Sequence, residues 1–344
     1  MIKRISKYRT ELMGISIIWV ILFHAGYIPY INIITSIGYG GVDFFFFLSG
    51  FGLFFSLQKD KNKILFYKKR LKRIYPTYII IVLITMILLG IFSLKNFIIN
   101  ISTIGFWTGM GSFEWYIPSL FMFYLIFPYM YKLLIKNHIY FIIISLIITV
   151  VLVSLRVIFS LPNSWMLFIT RIPIFSIGAV FGKLTFEKIE FKRIKLHHFL
   201  FIGISAIIML LIFKKYFPNY LWNLGLYWYP FILITPTFCV IIAIFLEKLS
   251  SNNLNSFLRF FGLISLELYL LHIKIFEKSQ NIADYFNVPR ALILIISISI
   301  IIPIAFYLSK LIKYISNKTQ PNLQHRVNLI ASFSPTYKSR NGLS

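Results

Sequence analysis

Two ionisable residues inside successive apolar runs set out the chemistry open to this chain. His24 falls midway along the run that begins near Met13, in YRTELMGISIIWVILFHAGY. Asp43 opens the next, GYGGVDFFFFLSGFGLFFSL, and is followed by Ser49 and Gly50. An ionisable group at membrane depth costs at least roughly 2.5–3.5 kcal/mol, so it marks a functional site by default. An imidazole within reach of a hydroxyl can act as a general base. An aspartate can orient that ring and stabilise its charged form, as in a catalytic triad. The competing reading of His24 is a ring satisfied by one helix-to-helix hydrogen bond.

Other polar groups offer partners. Arg70 and Arg73, in KKRLKRIYP, are three apart and share a helix face, a pair suited to bidentate phosphate binding. Plain anchoring to anionic lipid is the alternative. Glu114 precedes an apolar run, where a helix dipole would stabilise a carboxylate. Acceptor hydroxyls are its other candidate partner. Arg171, in RIPIFSIGAVFG, lies inside a run and needs a carboxylate, with Asp43, Glu114 and Glu267 as candidates for either a structural pair or an electrostatic role at the site. Glu267 and His272, in FGLISLELYLLHIKIF, point about 140° apart on one helix, so each needs a partner elsewhere. His272 also reads as a wetted interfacial histidine.

The elements that must position these groups are membrane helices. The 344 residues are 58% hydrophobic and only 13% charged, with mean hydropathy +0.81, whereas a soluble domain carries about a quarter charged residues. Repeated apolar runs of near-spanning length predict an all-α, polytopic transmembrane helical bundle. About ten spans are expected, at 12–32, 37–57, 76–95, 115–135, 138–155, 165–184, 197–214, 226–247, 256–276 and 291–312. On this reading 59–75 is a basic loop, 96–114 an outer loop, and Pro230 and Pro236 kink the eighth span.

The net charge of +25 does not indicate a nucleic-acid partner, because the bases concentrate between spans as topology signals. Most of them fall on one side, including the 59–73 run and the 183–195 loop. Lys95, Arg156, Lys214, Lys215, Lys274, Lys278 and Arg290 fall on the other. Both termini are therefore expected in the cytoplasm. The basic MIKRISKYR start is read as part of an uncleaved first helix. The single cysteine, Cys239, excludes an intramolecular disulfide. No zinc-type spacing, phosphate loop or Gly-x-Ser-x-Gly elbow is present. The glycines at 38, 40, 41, 50 and 52 are read as close helix contacts.

GISIIWVILFHAG and GVDFFFFLSGF resemble the opening helices of the membrane-bound acyltransferase family 3, integral-membrane O-acyltransferases. The basic run before IYP, the aromatic pair opening EWYIPSLFMFYLIFPYMY with Tyr124 and Pro128, RIPIF, and ISLELYLLH continue the resemblance through about residue 276. The family shows an arginine, ten residues, then the histidine. Met13 holds that place here and Arg9 lies one turn earlier, within about 60° of His24 around the helix.

The resemblance implies a single transmembrane acyltransferase domain over 1–314, with a polar, mobile cytoplasmic tail over 315–344. It implies His24 and Asp43 as catalytic residues, with Arg70, Arg73 and Arg9 meeting the phosphates of an acyl-CoA. Glu114, Arg171, Glu267 and His272 would serve acceptor binding or electrostatics. Acetyl-CoA would be a co-substrate, with no bound cofactor or metal. The expected acceptor is an exported, capsular or other cell-surface polysaccharide, modified by a multi-pass protein of the bacterial plasma membrane, with a homo-oligomer left open. The alternatives are an acyltransferase for a lipid or small molecule, and a non-enzymatic carrier of lipid-linked saccharide. No internal repeat of the kind transporters often show is evident.

Overall fold

The computed structural model describes residues 1–25, 35–189 and 195–318. The expected tail from Thr319 onward, the end of the first expected span, and Lys192 and Arg193 of the basic 183–195 loop lie outside the described residues. Helices account for nearly all of the rest, and no strand occurs among the described residues. In chain order they are α1 (Lys3–Lys7), α2 (Arg9–His24), α3 (Gly41–Lys59), α4 (Lys63–Leu88), α5 (Leu94–Ile101), α6 (Ile104–Thr108), α7 (Tyr116–Lys136) and α8 (His138–Ile158). They continue with α9 (Trp165–Ile169), α10 (Ile172–Phe186), α11 (Leu196–Tyr216), α12 (Phe231–Leu249), α13 (Asn252–Leu263), α14 (Ser265–Phe286) and α15 (Arg290–Lys318). The helical class read from the runs is what the chain builds, because in hydrocarbon a helix satisfies its own backbone groups.

Eight helices among the described residues are long and apolar enough to cross a membrane, and the α13–α14 pair, bent by 69°, makes a ninth. The remaining expected span, the first, corresponds to α2, whose 16 described residues fall just under a bilayer's roughly 20-residue requirement. Two expectations need correction. The expected 59–75 loop is largely the first half of α4, because Asn62 caps that helix by accepting from Leu65 N at 3.1 Å. Pro76 then sits inside the helix. The sixth expected span, 165–184, is present as Trp165–Phe186, made of α9 and α10, with Arg171 at their junction as the N-cap of α10. Pro230 begins α12, where a missing N–H costs nothing, leaving Pro236 as the proline within it.

The 96–114 segment also departs from a plain outer loop. The Tyr75 and Tyr78 hydroxyls of α4 donate to the carbonyls of Ile101 and Asn100 at 3.2 and 2.9 Å. Residues 94–101 thus fold back along the helix they follow, and Phe113 N is satisfied by the Asn100 side chain. Trp107 packs on Trp165 and Phe168, with centroids 5.9 and 5.3 Å apart. This returning segment delivers Glu114 and Trp115 into the bundle.

Close backbone contact holds the centre together. A Cβ on Gly178 would lie 2.0 Å from Phe47 O, and one on Gly50 2.1 Å from Phe175 O, so α3 and α10 meet backbone to backbone. Small residues allow this approach where lipid supplies no hydrophobic drive between helices. Gly178→Val is expected to destabilise the protein by about 1–3 kcal/mol or more. Thermal unfolding of detergent-solubilised protein, followed by size-exclusion chromatography, measures this. An unchanged midpoint would mean the two helices do not need this spacing.

The C-terminal ends of α3, α7 and α10 share one end of the bundle. Tyr131 bonds Gln58, and Lys183 Nζ donates to the carbonyls of Leu134 and Ile135 at 3.1 and 2.9 Å. The turn into α4 lies there too, where Asp60 accepts from Asn62 N at 2.9 Å and pairs with Lys69. That amide first, then Lys69, holds the Asp60 carboxyl below its ordinary range. This end carries the basic run.

Candidate active site

A cavity of about 510 Å³ lies between α2, α3, α4, α7, α14 and α15. Arg9, Arg70 and Arg73 all line it, together with Lys69, Lys72 and Lys313, and Glu267 is its one acidic lining residue. The three-residue spacing of Arg70 and Arg73 puts both on the inner face of α4. Arg9 reaches the same space from α2, its Nε and one terminal nitrogen donating to Leu48 O at 3.1 and 3.0 Å. Met13, where the family carries its arginine, also lines the wall. The Arg70 guanidinium lies 6.0 Å from the Tyr124 ring centroid. Ser309 and Lys313 of α15 face Glu267. The guanidinium and ammonium groups around this cavity form a donor set that suits phosphate.

The inner wall of the cavity is aromatic. Tyr116 and Tyr269 both line it, with ring centroids 4.9 Å apart. Behind Tyr269, 5.7 Å from its ring, stands His272, fully buried. His272 Nε2 is 3.2 Å from His24 Nδ1. The wetted interfacial reading of His272 is therefore set aside, and the partner it needed on another helix is His24. The signal for Tyr269 was present in the sequence: it lies three residues before His272, on the same helix face.

Each histidine is also tied to its own helix. His24 Nδ1 lies 2.9 Å from Val20 O, and His272 Nδ1 lies 3.0 Å from Leu268 O. His24 ends α2, fifteen residues or about 22 Å along the axis from Arg9. A single helix thus runs from the phosphate-type cavity to the histidine pair.

Asp43 does not take the place beside His24 that a triad would give it. Gly41 packs against Ser16 and Val20 of α2, four to eight residues before His24. Asp43 lies further still in that direction, so the antiparallel register carries it away from the imidazole. Its partner is Arg171, with Nε to Oδ1 at 3.1 Å and both side chains 1% exposed. Of the three carboxylates open to Arg171, the fold selects Asp43. The guanidinium lies between the rings of Trp115 and Trp228, at 4.9 and 4.6 Å, and donates to Thr170 Oγ1 at 3.1 Å. Nothing in the sequence marked Trp228 as its neighbour.

Glu114 is buried and caps α7, accepting from Tyr116 N and Ile117 N at 2.6 Å each. The helix-terminus reading of this carboxylate is the one the geometry supports. Its remaining exposure is towards the Tyr269 hydroxyl. The nine residues singled out in the sequence thus form three groups. Arg9, Arg70, Arg73 and Glu267 line the cavity, His24 and His272 pair beyond its inner wall, and Asp43 pairs with Arg171 beside the Glu114 cap.

A basic cavity joined through two tyrosines to an imidazole pair has the layout for carrying an activated group on an anionic donor towards a base. No curated protein and no solved structure matches the chain. The family model of the acyltransferase 3 domain does, over residues 12–310, which spans most of α2 through most of α15 and every group described above except Arg9 and Lys313. The chain belongs to acyltransferase family 3.

Proposed function

We propose that this membrane acyltransferase moves an acetyl group from acetyl-CoA to a hydroxyl of an exported cell-surface polysaccharide, with His24 as general base. The observation that carries the reading is the gathering of Arg9, Arg70 and Arg73 around one cavity whose inner wall adjoins the His24–His272 pair. The excess of bases at the cavity end supports a cytoplasmic position for it by the positive-inside rule, on the side where acetyl-CoA is available.

The nucleotide phosphates meet the guanidinium groups, and the pantetheine arm carries the thioester inward past Tyr116 and Tyr269. His24 Nε2 takes the proton of the acceptor hydroxyl as its oxygen attacks the thioester carbonyl. The tetrahedral intermediate collapses with loss of the thiolate, and the proton held by His24 returns to the sulfur, giving ester and free CoA. Asp43 and Arg171 act as a buried pair that fixes α3 against α10 beside this route. Family membership favours transfer over the carrier reading, and the acceptor class is tested directly.

In a deletion strain complemented at matched membrane levels, proton NMR of the surface polysaccharide is expected to show acetyl signals with wild type and none with His24→Ala. Polymer whose acetyl content never follows the gene would remove the polysaccharide assignment and direct the search to lipid or small-molecule acceptors. Arg73→Gln tests the donor site. Losing one hydrogen bond to a charged group corresponds to about 1.5–3 kcal/mol, so KM for acetyl-CoA should rise about 10-fold or more, with kcat less affected. An unchanged KM would exclude Arg73 from phosphate binding.

A further inference from the structure

We infer that His272 is a positioning residue for acyl transfer, an uncharged imidazole in the place where a triad holds its carboxylate. The inference rests on the reading of His24 as the base. It follows from which nitrogen can carry which proton. A carbonyl oxygen only accepts, so the Nδ1 facing Val20 O in His24 bears a hydrogen, and so does the Nδ1 facing Leu268 O in His272. A neutral His272 then has its lone pair on Nε2, the atom that lies 3.2 Å from His24 Nδ1. The His24 Nδ1–H is shared between two acceptors, Val20 O and His272 Nε2. The basic nitrogen of His24 is thereby fixed as Nε2.

The same contact matters more during reaction. When Nε2 of His24 takes a proton, the ring becomes a cation and its Nδ1–H becomes a stronger donor. Hydrogen bonds from a charged donor are roughly twice as strong as neutral ones, so the His272 lone pair stabilises the protonated base more than the free base. Among the described residues no carboxylate hydrogen-bonds the pair: Asp43 is taken by Arg171 and Glu277 by Lys274. Among the described residues, the titratable groups facing the pair are Tyr269, whose ring packs on His272, and Glu277, which is paired with Lys274 at 2.9 Å. Phe23 and Phe276 cover the rings. An imidazole suits this apolar setting, because it supplies an acceptor without a buried charge.

Purified full-length protein, acetyl-CoA and chemically de-O-acetylated surface polysaccharide provide the test, with thiol release as readout. His272→Leu fills the space without an acceptor. It is expected to lower kcat roughly 10–150-fold, the kinetic equivalent of one hydrogen bond to a charged group, while KM for acetyl-CoA holds. Loss of the acceptor destabilises the imidazolium and lowers the pKa of His24. The acid limb of the kcat/KM profile therefore moves to lower pH. His272→Gln, which can present an amide oxygen near the Nε2 position, should recover most of kcat and return the limb to its wild-type place. His272→Asn is too short to reach His24 and should follow His272→Leu in its pH profile, which serves if the leucine variant does not fold.

Equal losses in all three variants with an unmoved acid limb would reduce His272 to a packing role and overturn the inference. Wild-type kinetics in His272→Leu would do the same. His24→Ala, run alongside, separates the two ideas. If it stays active the base assignment itself fails; if it is inactive while His272→Leu matches wild type, only the positioning role is lost.

Discussion

His24→Ala is expected to lower kcat by about 10²–10⁴-fold, the usual contribution of a positioned general base, in protein that still inserts and folds. The expectation of folding comes from the ring's surroundings. His24 is the last residue of α2, half-buried, and among the described residues its polar contacts are one backbone carbonyl and the His272 ring. Removing it frees a neutral acceptor on His272 and leaves the tight α2 crossings at Gly14 and Gly262 intact, where added Cβ atoms would lie 1.9 Å from Leu258 O and Thr10 O. KM for acetyl-CoA should change little, since the guanidinium groups lie at the other end of the helix. Single-turnover acetyl transfer at matched protein levels, with size-exclusion profiles as the folding control, measures both quantities. A rate within threefold of wild type would remove His24 from the chemistry.

Arg171→Met is expected to act on stability. Breaking a buried ion pair by deleting one partner costs about 3–5 kcal/mol, because the remaining charge has no counter-ion. Asp43 and Arg171 are each 1% exposed, and they join α3 to the start of α10. The guanidinium also fills the gap between Trp115 and Trp228. The single variant should show a strongly lowered melting midpoint and reduced membrane yield. Asp43→Leu combined with Arg171→Met should recover a large part of that loss, since replacing both charges by apolar groups is often close to neutral. Normal stability in the single variant, with a raised KM for acceptor, would instead make Arg171 a substrate contact.

The bundle itself was legible in the sequence. Asn62, Asn137 and Ser251 cap helices where a cap is needed, and apolar length decided the rest, since few other structures can cross hydrocarbon. The boundary errors share one cause. Residues 59–75 are polar enough to read as loop, but Asn62 satisfies the first turn and the basic face of α4 lines a cavity, so the helix extends through them. The spacing of Arg70 and Arg73 was likewise enough to put both on one face, because helical phase is local.

Partner choice was not local. His24 and Asp43 share adjacent runs and looked like a pair, yet the register of α2 against α3, set by Gly41 on Ser16 and Val20, separates them. His272, more than two hundred residues away, fills the position instead. The flanking residues of α14 gave Glu267 and His272 different directions but could not say what lay in either, because helices that are apolar on every side carry no polar stripe to mark the inward face. Sequence alone determined that this chain is a helical membrane protein with a histidine, an arginine pair and a few buried charges held at fixed phases, since composition and the 3.6-residue repeat act within single helices. Only the tertiary structure decided that His24 meets His272, that Asp43 meets Arg171 and that three arginines share one cavity, since those outcomes depend on how closely glycine lets particular helices approach and on the register in which they then lock.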